Sequence, residues 1–277
     1  MTVKKEPVKP YGLKLFQESL NRMKLEEFRN FFFDLDGTIW RWDETVDGAQ
    51  DMLKTLRDAE KNVYFHTDNT LLSRKGYARR LEKKGIQATE EEIITSGYVT
   101  AEILSDREIL KVYAVGEQGL TEELTETGIK ITEDADHAVL GLDRKINYQK
   151  MEKLRKRISE GHKLFNCSSE NLFRRENSKL HQGAIAESLS QFGDVKLTGK
   201  PSEAYRKVFK NYFSYFPGKS LFVGDRLADI ETGNRLGMKT AAVLTGDITE
   251  KKINQADEDA VPDYALTSLD KVRRRIP

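Results

Sequence analysis

Short apolar runs alternate with helical stretches along most of this chain. The apolar runs predict strands, and stretches whose apolar residues recur three and four positions apart predict helices. Such alternation favours an α/β fold built on a parallel sheet with both faces covered. In chain order we expect a strand over 31–36, a helix over 49–61, a strand over 62–68 and a helix over 73–85, and later a helix over 202–213, a strand over 219–225, a helix over 228–237 and a strand over 239–246.

The middle of the chain repeats this alternation, but its predicted strand ends carry less chemistry. Strands are expected over 111–117, 137–143 and 163–169, and helices over 120–128, 147–161 and 183–193. The strands on either side of this part must meet at one site, so we interpret 104–195 as an inserted small domain. The core domain would then comprise 30–103 and 196–277, and a length of 277 residues is sufficient for two domains.

Residues 1–29 are predicted to form an N-terminal tail and a helix. Apolar residues fall near one stripe over 13–29, which favours a helix packed on the core over one that binds a partner. The first residues lack the apolar segment of a signal peptide, and no apolar run is long enough to span a bilayer. We therefore expect a soluble protein in the cytoplasm.

The charge and the cysteine content exclude few functions but favour some. The formal charge is +1, which does not support binding to nucleic acid or to a membrane surface, since both favour a basic surplus. The single cysteine, Cys167, rules out an internal disulfide framework and suits a reducing compartment.

Two carboxylates one residue apart follow the first apolar run, in the segment FFFDLDGTIW. Asp34 and Asp36 can share one crevice at the end of the strand, beside the turn begun by Gly37. Close carboxylates repel unless a cation or a proton intervenes, and Mg²⁺ prefers carboxylate oxygens. One acid could be a nucleophile and the other an acid for a leaving group. A simple capping turn is the alternative.

Further polar residues follow other predicted strands or begin helices. Asp225 and Asp229 lie four residues apart, about one helical turn, although ordinary helix capping would also explain them. Lys200 precedes Pro201 at a helix start, where a cation is favourable if an anion lies nearby; a surface lysine is the alternative. Thr67 and the amides after it could hold a phosphate oxygen, or could cap the strand.

Together, these segments resemble a known family. DLDGT, the strand-end threonine, GKP and GDRLAD resemble, in order, the four motifs of the haloacid dehalogenase superfamily. Segments such as DGAQDMLKTLRD and VGDRLADIETGNRLGMKTAAVLTG are similar to its branch of nitrophenylphosphatases, phosphoglycolate phosphatases and NagD-like nucleotidases. The resemblance covers about residues 30–270. It implies a Rossmann-like core with a large α/β cap inserted between the second and third motifs.

The resemblance implies a Mg²⁺-dependent phosphatase that hydrolyses a small phosphomonoester. Asp34 would attack phosphorus and become an aspartyl phosphate, and Asp36 would protonate the leaving alcohol and then deprotonate water. Lys200 would neutralise the phosphoryl charge. The phosphate would be bound by Thr67, Asp68, Asn69 and Lys200.

The same resemblance implies a metal site. Asp34, Asp225 and the carbonyl of Asp36 would hold Mg²⁺, with Asp229 supporting the site through water. A small phosphorylated metabolite is the expected partner, and a homodimer formed through the cap is a weaker expectation. Neither nucleic acid nor a membrane is expected as a partner.

The chain departs from this branch in ways that keep alternatives open. The second motif usually reads Thr-Asn-Asn, whereas here Asp68 follows Thr67, and the fourth motif often has one more residue before its last acid. The cap segments NCSSE and HQGA also differ from the usual ones. A phosphotransferase, or a catalytically weak relative that binds phosphorylated metabolites or a partner, therefore remains as an alternative.

Two histidines, one beside the second motif and one in the predicted cap, could lie near the site. Alternation along the strand predicts that His66 points away from the site. His181 would reach a substrate if the cap loop closes over the core.

Overall fold

The computed structural model describes residues 23–173 and 179–270. Residues 13–22 of the predicted N-terminal helix lie outside this part. Within it the chain forms only a single 3₁₀ turn, Leu25–Glu27, before the first strand begins at Asn30. The helix predicted over 13–29 is therefore wrong for its last residues, because the chain is already extended at Phe28.

Six parallel strands form the core sheet in the described part of the chain. Their order across the sheet, from one edge to the other, is Tyr264–Leu266, Lys239–Val243, Ser220–Gly224, Asn30–Asp34, Asn62–Thr67 and Ile93–Thr95. The strand Asn30–Asp34, called the central strand below, therefore lies between the strands that lead to Asp225 and to Thr67. This arrangement places Asp34, Thr67 and Asp225 together at the carboxyl ends of three neighbouring strands in the middle of the sheet.

A second parallel sheet lies in the inserted part and has five strands among the residues described. Their order is Val195–Leu197, Leu164–Asn166, Ala138–Leu140, Lys111–Val115 and Lys130–Ile131. Two short antiparallel pairs complete the strands: Trp40–Arg41 with Glu44–Thr45, and Leu172–Phe173 with Lys179–Leu180.

Helices cover these sheets. Those of the core are Ala49–Asp58, Arg74–Lys83, Glu203–Tyr212, Leu227–Arg235 and Glu250–Asn254. Helix Ser96–Ser105 leads from the core sheet to the inserted part, whose helices are Gln118–Glu126, Tyr148–Ser159 and Gln182–Leu189.

The predicted fold class is confirmed: a Rossmann-like parallel-sheet core carries an inserted α/β cap. The limits proposed for the cap, 104–195, and for the two core segments stay a prediction. The pattern missed the short strands Ile93–Thr95 and Tyr264–Leu266, because three-residue runs give too little periodicity to detect.

The central strand is buried on both faces, as a parallel sheet between helices requires. Successive side chains point to opposite faces, so Phe31 and Phe33 join one apolar cluster and Phe32 joins another. Phe32 also contacts the rings of Tyr64 and Phe209. Burial of these rings fixes the strand and therefore the position of the acid at its end.

The core and the cap are joined by a buried polar contact at the start of helix Arg74–Lys83. Ser73 caps this helix by accepting a hydrogen bond from the backbone of Gly76. Glu123 of the cap accepts hydrogen bonds from the backbone and side-chain nitrogens of Arg74 at 2.6 and 3.1 Å. Glu123 is buried, so this pair ties the two parts together where little water can compete.

None of the helices in the described ranges is long and apolar enough to cross a membrane.

Candidate active site

The site lies at the carboxyl ends of the three middle core strands. Asp34 ends the central strand and pairs in register with His66 on the neighbouring strand, one residue before Thr67. On the other side, Asp225 directly follows the strand Ser220–Gly224. Parallel strands bring their carboxyl ends to the same edge of a sheet, and in such folds ligands bind beyond these ends.

Lys200 connects the buried acids. Its Nζ donates hydrogen bonds to Asp34 Oδ1 at 2.8 Å and to Asp229 Oδ1 at 2.5 Å. The lysine side chain is fully buried, as are both acids. An unpaired buried ammonium would be unfavourable, so these carboxylates stabilise Lys200 and hold its charge beside Asp34.

Asp36 is held at the wall of a cavity. Trp40 Nε1 donates to one of its carboxylate oxygens at 2.9 Å, and Asn69 Nδ2 donates to the other at 3.1 Å. Asn69 is itself fixed, because its own Oδ1 accepts a hydrogen bond from the backbone of Leu71. Unlike Asp34, Asp36 is only partly buried and lines the cavity, so it can exchange a proton with a bound molecule.

Asp225 sits in a narrow space between two glycines. A Cβ atom on Gly37 or on Gly246 would overlap the Asp225 carboxylate. The Asp247 backbone amide donates to Asp225 Oδ2 at 2.8 Å. Asp225 Oδ1 and Asp34 Oδ2 are buried oxygens with no hydrogen-bond donor among the described residues. Two such oxygens at the carboxyl ends of neighbouring strands are an arrangement that suits a cation.

Asp68 is buried against the backbone rather than directed into the cavity. Its Oδ1 accepts a hydrogen bond from the Lys200 amide at 3.2 Å, and its carbonyl accepts one from Ser96 Oγ at 3.0 Å. The carboxylate that replaces the usual asparagine therefore helps to place the segment that carries Lys200.

Burial and mutual repulsion raise the pKa of most of these acids. The pKa of Asp34 is raised well above its usual range by burial, although Lys200 opposes the shift. Burial and then the Asp229 carboxylate raise the pKa of Asp225 to about 7, and burial raises that of Asp68 to about 6. For Asp229 burial acts in the same direction, but Lys200 and Arg226 outweigh it and the pKa is lowered.

The cap closes one side of the site. A cavity of about 510 Å³ is lined by core residues that include Asp36, Thr67, Asn69 and Asp225, and by the cap residues Glu170, Asn171 and His181. The Glu170 carboxylate lies 2.5 Å from Nη1 of Arg226 in the core and 3.2 Å from Nε2 of His181. The predicted approach of the cap loop to the site is thus present, and His181 is placed to contact a bound molecule.

Comparisons with known proteins agree with this geometry. Residues 31–130 match the family described as haloacid dehalogenase-like hydrolase, and residues 197–272 match a second profile of HAD-like hydrolases. The first match covers the first core segment and the beginning of the predicted cap, and the second covers most of the second core segment. The chain belongs to the haloacid dehalogenase-like hydrolases.

Named relatives extend over nearly the whole hydrolase. The 5′-nucleotidase YutF of Bacillus subtilis is 29% identical over 88% of this chain and 97% of its own length. The 4-nitrophenylphosphatase of Schizosaccharomyces pombe is 28% identical over 90% of this chain and 94% of its own. A crystal structure of 4-nitrophenylphosphatase from Thermotoga maritima superposes with a TM-score of 0.82, at 25% identity, over 92% of this chain and all of that one. The resemblance to the NagD-like branch is thereby confirmed.

The prediction for His66 is wrong in this hydrolase. Its Nδ1 lies 3.0 Å from Lys200 Nζ and 3.6 Å from Asp34 Oδ1, so the side chain faces the site. Its ring also stacks on Phe222, with centroids 4.0 Å apart. Alternation itself holds: Asp34 and His66 pair in register and share one face of the sheet, where Lys200 Nζ contacts both. The prediction was wrong because it took the opposite face, that of Thr67, as the face of the site. Burial, followed by the charges of Lys200 and Arg226, lowers the pKa of His66, which keeps the imidazole neutral.

Arg226 is a second residue of the hydrolase site that sequence reasoning missed. Its Nη2 lies 3.7 Å from both Asp34 Oδ1 and Asp229 Oδ1, and 4.0 Å from Asp68 Oδ2. The signal was present, because this arginine directly follows a strand-end acid in GDRLAD. A basic residue beside three buried acids adds a second positive charge to the one supplied by Lys200.

Proposed function

We propose that this protein is a Mg²⁺-dependent phosphatase that hydrolyses a small phosphomonoester through an aspartyl-phosphate intermediate. That it is a phosphoric monoester hydrolase follows from its family and its named relatives. The metal ion, the covalent intermediate and the roles of single residues are the proposed part. One observation supports them. Asp34 is buried with one oxygen bonded to Lys200, while its other oxygen accepts no hydrogen bond from the described residues. Asp225 follows the neighbouring strand at the same carboxyl end of the sheet.

The residues present fit a hard divalent cation. Asp34 and Asp225 each offer a buried carboxylate oxygen that accepts no hydrogen bond from a described residue, and both have a raised pKa. We propose these two oxygens and the Asp36 carbonyl as ligands. When bound, the cation would reduce the repulsion between the Asp34 carboxylate and a phosphate dianion.

Asp229 has a different environment from the other proposed ligands. Its Oδ1 accepts from Lys200, and its Oδ2 accepts from the Arg226 amide at 3.0 Å. Support of the metal through water, as expected from the sequence, agrees better with these bonds than direct coordination does.

A second group of possible ligands lies close by but is already neutralised. Ligand atoms of Asp34, His66 and Asp229 lie within 4.8 Å of one another. Lys200 Nζ lies within 3.0 Å of one atom of each, so an ammonium already occupies the centre of this group. We therefore place the metal on the Asp225 side of Asp34.

The reaction uses the chain's own residues in two steps. The Asp34 carboxylate forms a bond to phosphorus as the bond to the leaving oxygen breaks, and Asp36 donates a proton to that oxygen. Asp36 then takes a proton from water, whose oxygen attacks phosphorus, and this releases phosphate and restores Asp34. The hydrogen bonds from Trp40 and Asn69 keep the Asp36 carboxylate in place for both transfers.

The phosphoryl group requires positive charge and donors during this reaction. Lys200 supplies the charge beside Asp34, and Thr67 lines the cavity at the adjacent strand end. For Asn69 we propose a role through Asp36, since its side chain is engaged there. For Asp68 we propose that the backbone amide alone faces the phosphate.

The alternative of a catalytically weak relative rested on Asp68 and on the altered cap. The Asp68 carboxylate is engaged with the Lys200 amide and does not line the cavity, so it need not repel a bound phosphate. That support for the alternative is weakened.

Phosphate release from a panel of phosphorylated metabolites with Mg²⁺ tests the proposal. Asp34→Asn should abolish release, because an amide is a poor nucleophile. Asp106→Asn, the same change at an exposed acid paired with Lys207, should retain it. Steady turnover by the Asp34→Asn protein would exclude the covalent mechanism, and no release from any substrate by the wild type would favour the alternative.

A further inference from the structure

A strained turn stands at the wall of the cavity. The strands Trp40–Arg41 and Glu44–Thr45 form a hairpin whose two central residues are Trp42 and Asp43. Trp42 has φ +62°, a left-handed conformation that bulky side chains rarely adopt. Hairpin turns of two residues take glycine, asparagine or aspartate at such positions, so a tryptophan here is unfavourable for folding.

The helix beneath the turn holds it in this conformation. Arg80 Nη2 donates to the Trp42 carbonyl at 2.8 Å and to Asp43 Oδ1 at 3.1 Å. Lys84 Nζ donates to the Asp43 carbonyl. These bonds fix the backbone of the turn, so the direction of the Trp42 side chain is set by the scaffold.

Trp42 lies at the wall of the cavity and is partly open to it. It lines the same cavity as Asp36 and Thr67 and is 43% exposed, whereas the neighbouring Trp40 is fully buried. The left-handed backbone at Trp42 costs stability that a glycine at this position would not cost. Backbone strain concentrates at binding sites, where the side chain has a use that offsets it.

We propose that Trp42 forms one wall of a leaving-group subsite and stacks on a planar aromatic ring of the substrate. The substrate class is then a phosphomonoester with an aromatic ring in the part that leaves. Arg41 lines the same cavity and forms no ion pair within the described part of the chain, so it can donate to the polar edge of such a ring. This inference rests on the proposed phosphatase activity for the position of the phosphate.

Substrates that differ only in the ring test the subsite by kinetics. Adenosine 5′-monophosphate and ribose 5-phosphate share the phosphorylated sugar, and only the first carries a base. The ratio of their kcat/KM values should fall about tenfold in Trp42→Gly, since stacking on an aromatic side chain contributes roughly that much. Glycine suits the backbone of the turn, and Trp42→Phe should retain much of the ratio.

A control elsewhere separates the subsite from a general effect. Phe216 is another exposed aromatic residue, and it does not line the cavity. Phe216→Ala should leave the ratio as in the wild type. An unchanged ratio in Trp42→Gly would overturn the inference.

Fluorescence gives a readout that does not need turnover. The chain has two tryptophans, and Trp40 is buried, so a stacked ring should quench mainly Trp42. In the Asp34→Asn protein we expect quenching by adenosine 5′-monophosphate but not by ribose 5-phosphate, and loss of that quenching in Asp34→Asn with Trp42→Phe. Phenyl phosphate shows whether the ring can lie directly beside the phosphate.

The outcomes are distinct from those for the proposed function. Quenching by either aromatic phosphate supports the subsite, even if no phosphate is released from any substrate. Equal quenching by ribose 5-phosphate, or none by either aromatic compound, would overturn it while phosphate release is still observed.

Discussion

The charge of Lys200 is held by three partners, and His66 is the one that the sequence did not suggest. Asp34 and Asp229 accept two of the ammonium's hydrogen bonds, and His66 Nδ1 is 3.0 Å away as the third acceptor. A lysine with all three donors engaged has little freedom to move. We therefore regard His66 as a positioning residue that acts through Lys200.

Replacement of His66 should lower kcat more than it changes KM. His66→Leu removes an acceptor from a buried ammonium, and a hydrogen bond to a charged group corresponds to about tenfold to hundredfold in rate. His66→Asn, whose amide oxygen can lie near the position of Nδ1, should recover much of kcat. Steady-state kinetics at saturating substrate measures this, and a full kcat in His66→Leu would contradict the role.

Asp68 should make stability depend on pH. Its pKa is raised to about 6 in the folded protein, above the unfolded value near 4, so the folded state binds the proton more tightly. Folding therefore becomes less favourable as the pH rises from about 4 to 6, and the effect levels off above that range. The cost at neutral pH is up to about 3 kcal/mol without divalent cations.

Asp68→Asn removes that titration and is the matching variant. Its free energy of unfolding, from urea titration in a chelating buffer, should exceed that of the wild type at pH 7 but not at pH 4. Its amide oxygen can still accept from the Lys200 backbone, so phosphate release should persist. A difference that is the same at both pH values would contradict this assignment.

At the scale of elements, the helix Arg74–Lys83 links the core to the cap. The backbone amide of its first residue, Arg74, donates a hydrogen bond to the Glu123 carboxylate. The Arg74 guanidinium lies 3.8 Å from the centre of the Tyr98 ring. Periodicity predicted both helices that take part. It could not predict their contact, because Arg74 and Glu123 are 49 positions apart and neither lies in a motif.

Loss of this contact should destabilise the protein as a whole. Glu123→Ala removes the acceptor of the Arg74 backbone and Nε, although Arg74 keeps its ion pair with Glu90, so the change should cost about 2 kcal/mol. Glu126→Ala on the same helix removes an exposed glutamate and should change stability by less than about 0.5 kcal/mol. Urea titration of both variants measures the difference, and equal effects would show that the pair does not hold the cap.

At the scale of the whole molecule, the proposed metal site joins segments from both ends of the core. Mg²⁺ that binds only the folded state should stabilise it by about 2.7 kcal/mol at a concentration one hundred times the dissociation constant. Asp225→Asn should lose most of this gain, whereas Asp106→Asn should retain it. Thermal unfolding with and without Mg²⁺ provides the measurement, and an equal gain in Asp225→Asn would place the cation elsewhere.

Local sequence patterns were sufficient to predict which strand-end residues form the site, but not which other residues contact them. Asp34, Thr67 and Asp225 could be predicted because each directly follows or ends an apolar strand, and parallel strands bring such ends together. His66 and Arg226 adjoin those residues in the chain. Whether they belong to the site depends on where Lys200 lies, and Lys200 comes from a distant segment.

The sequence alone determined the alternation of strands and helices, the position of the acids at strand ends and the family, because each depends on local periodicity or on short motifs. Only the tertiary structure decided which oxygens lack a donor, that His66 faces Lys200, that Glu170 reaches Arg226 and that Trp42 lines the cavity. These are contacts between residues far apart in the chain. They depend on how sheets and helices pack, which no local pattern records.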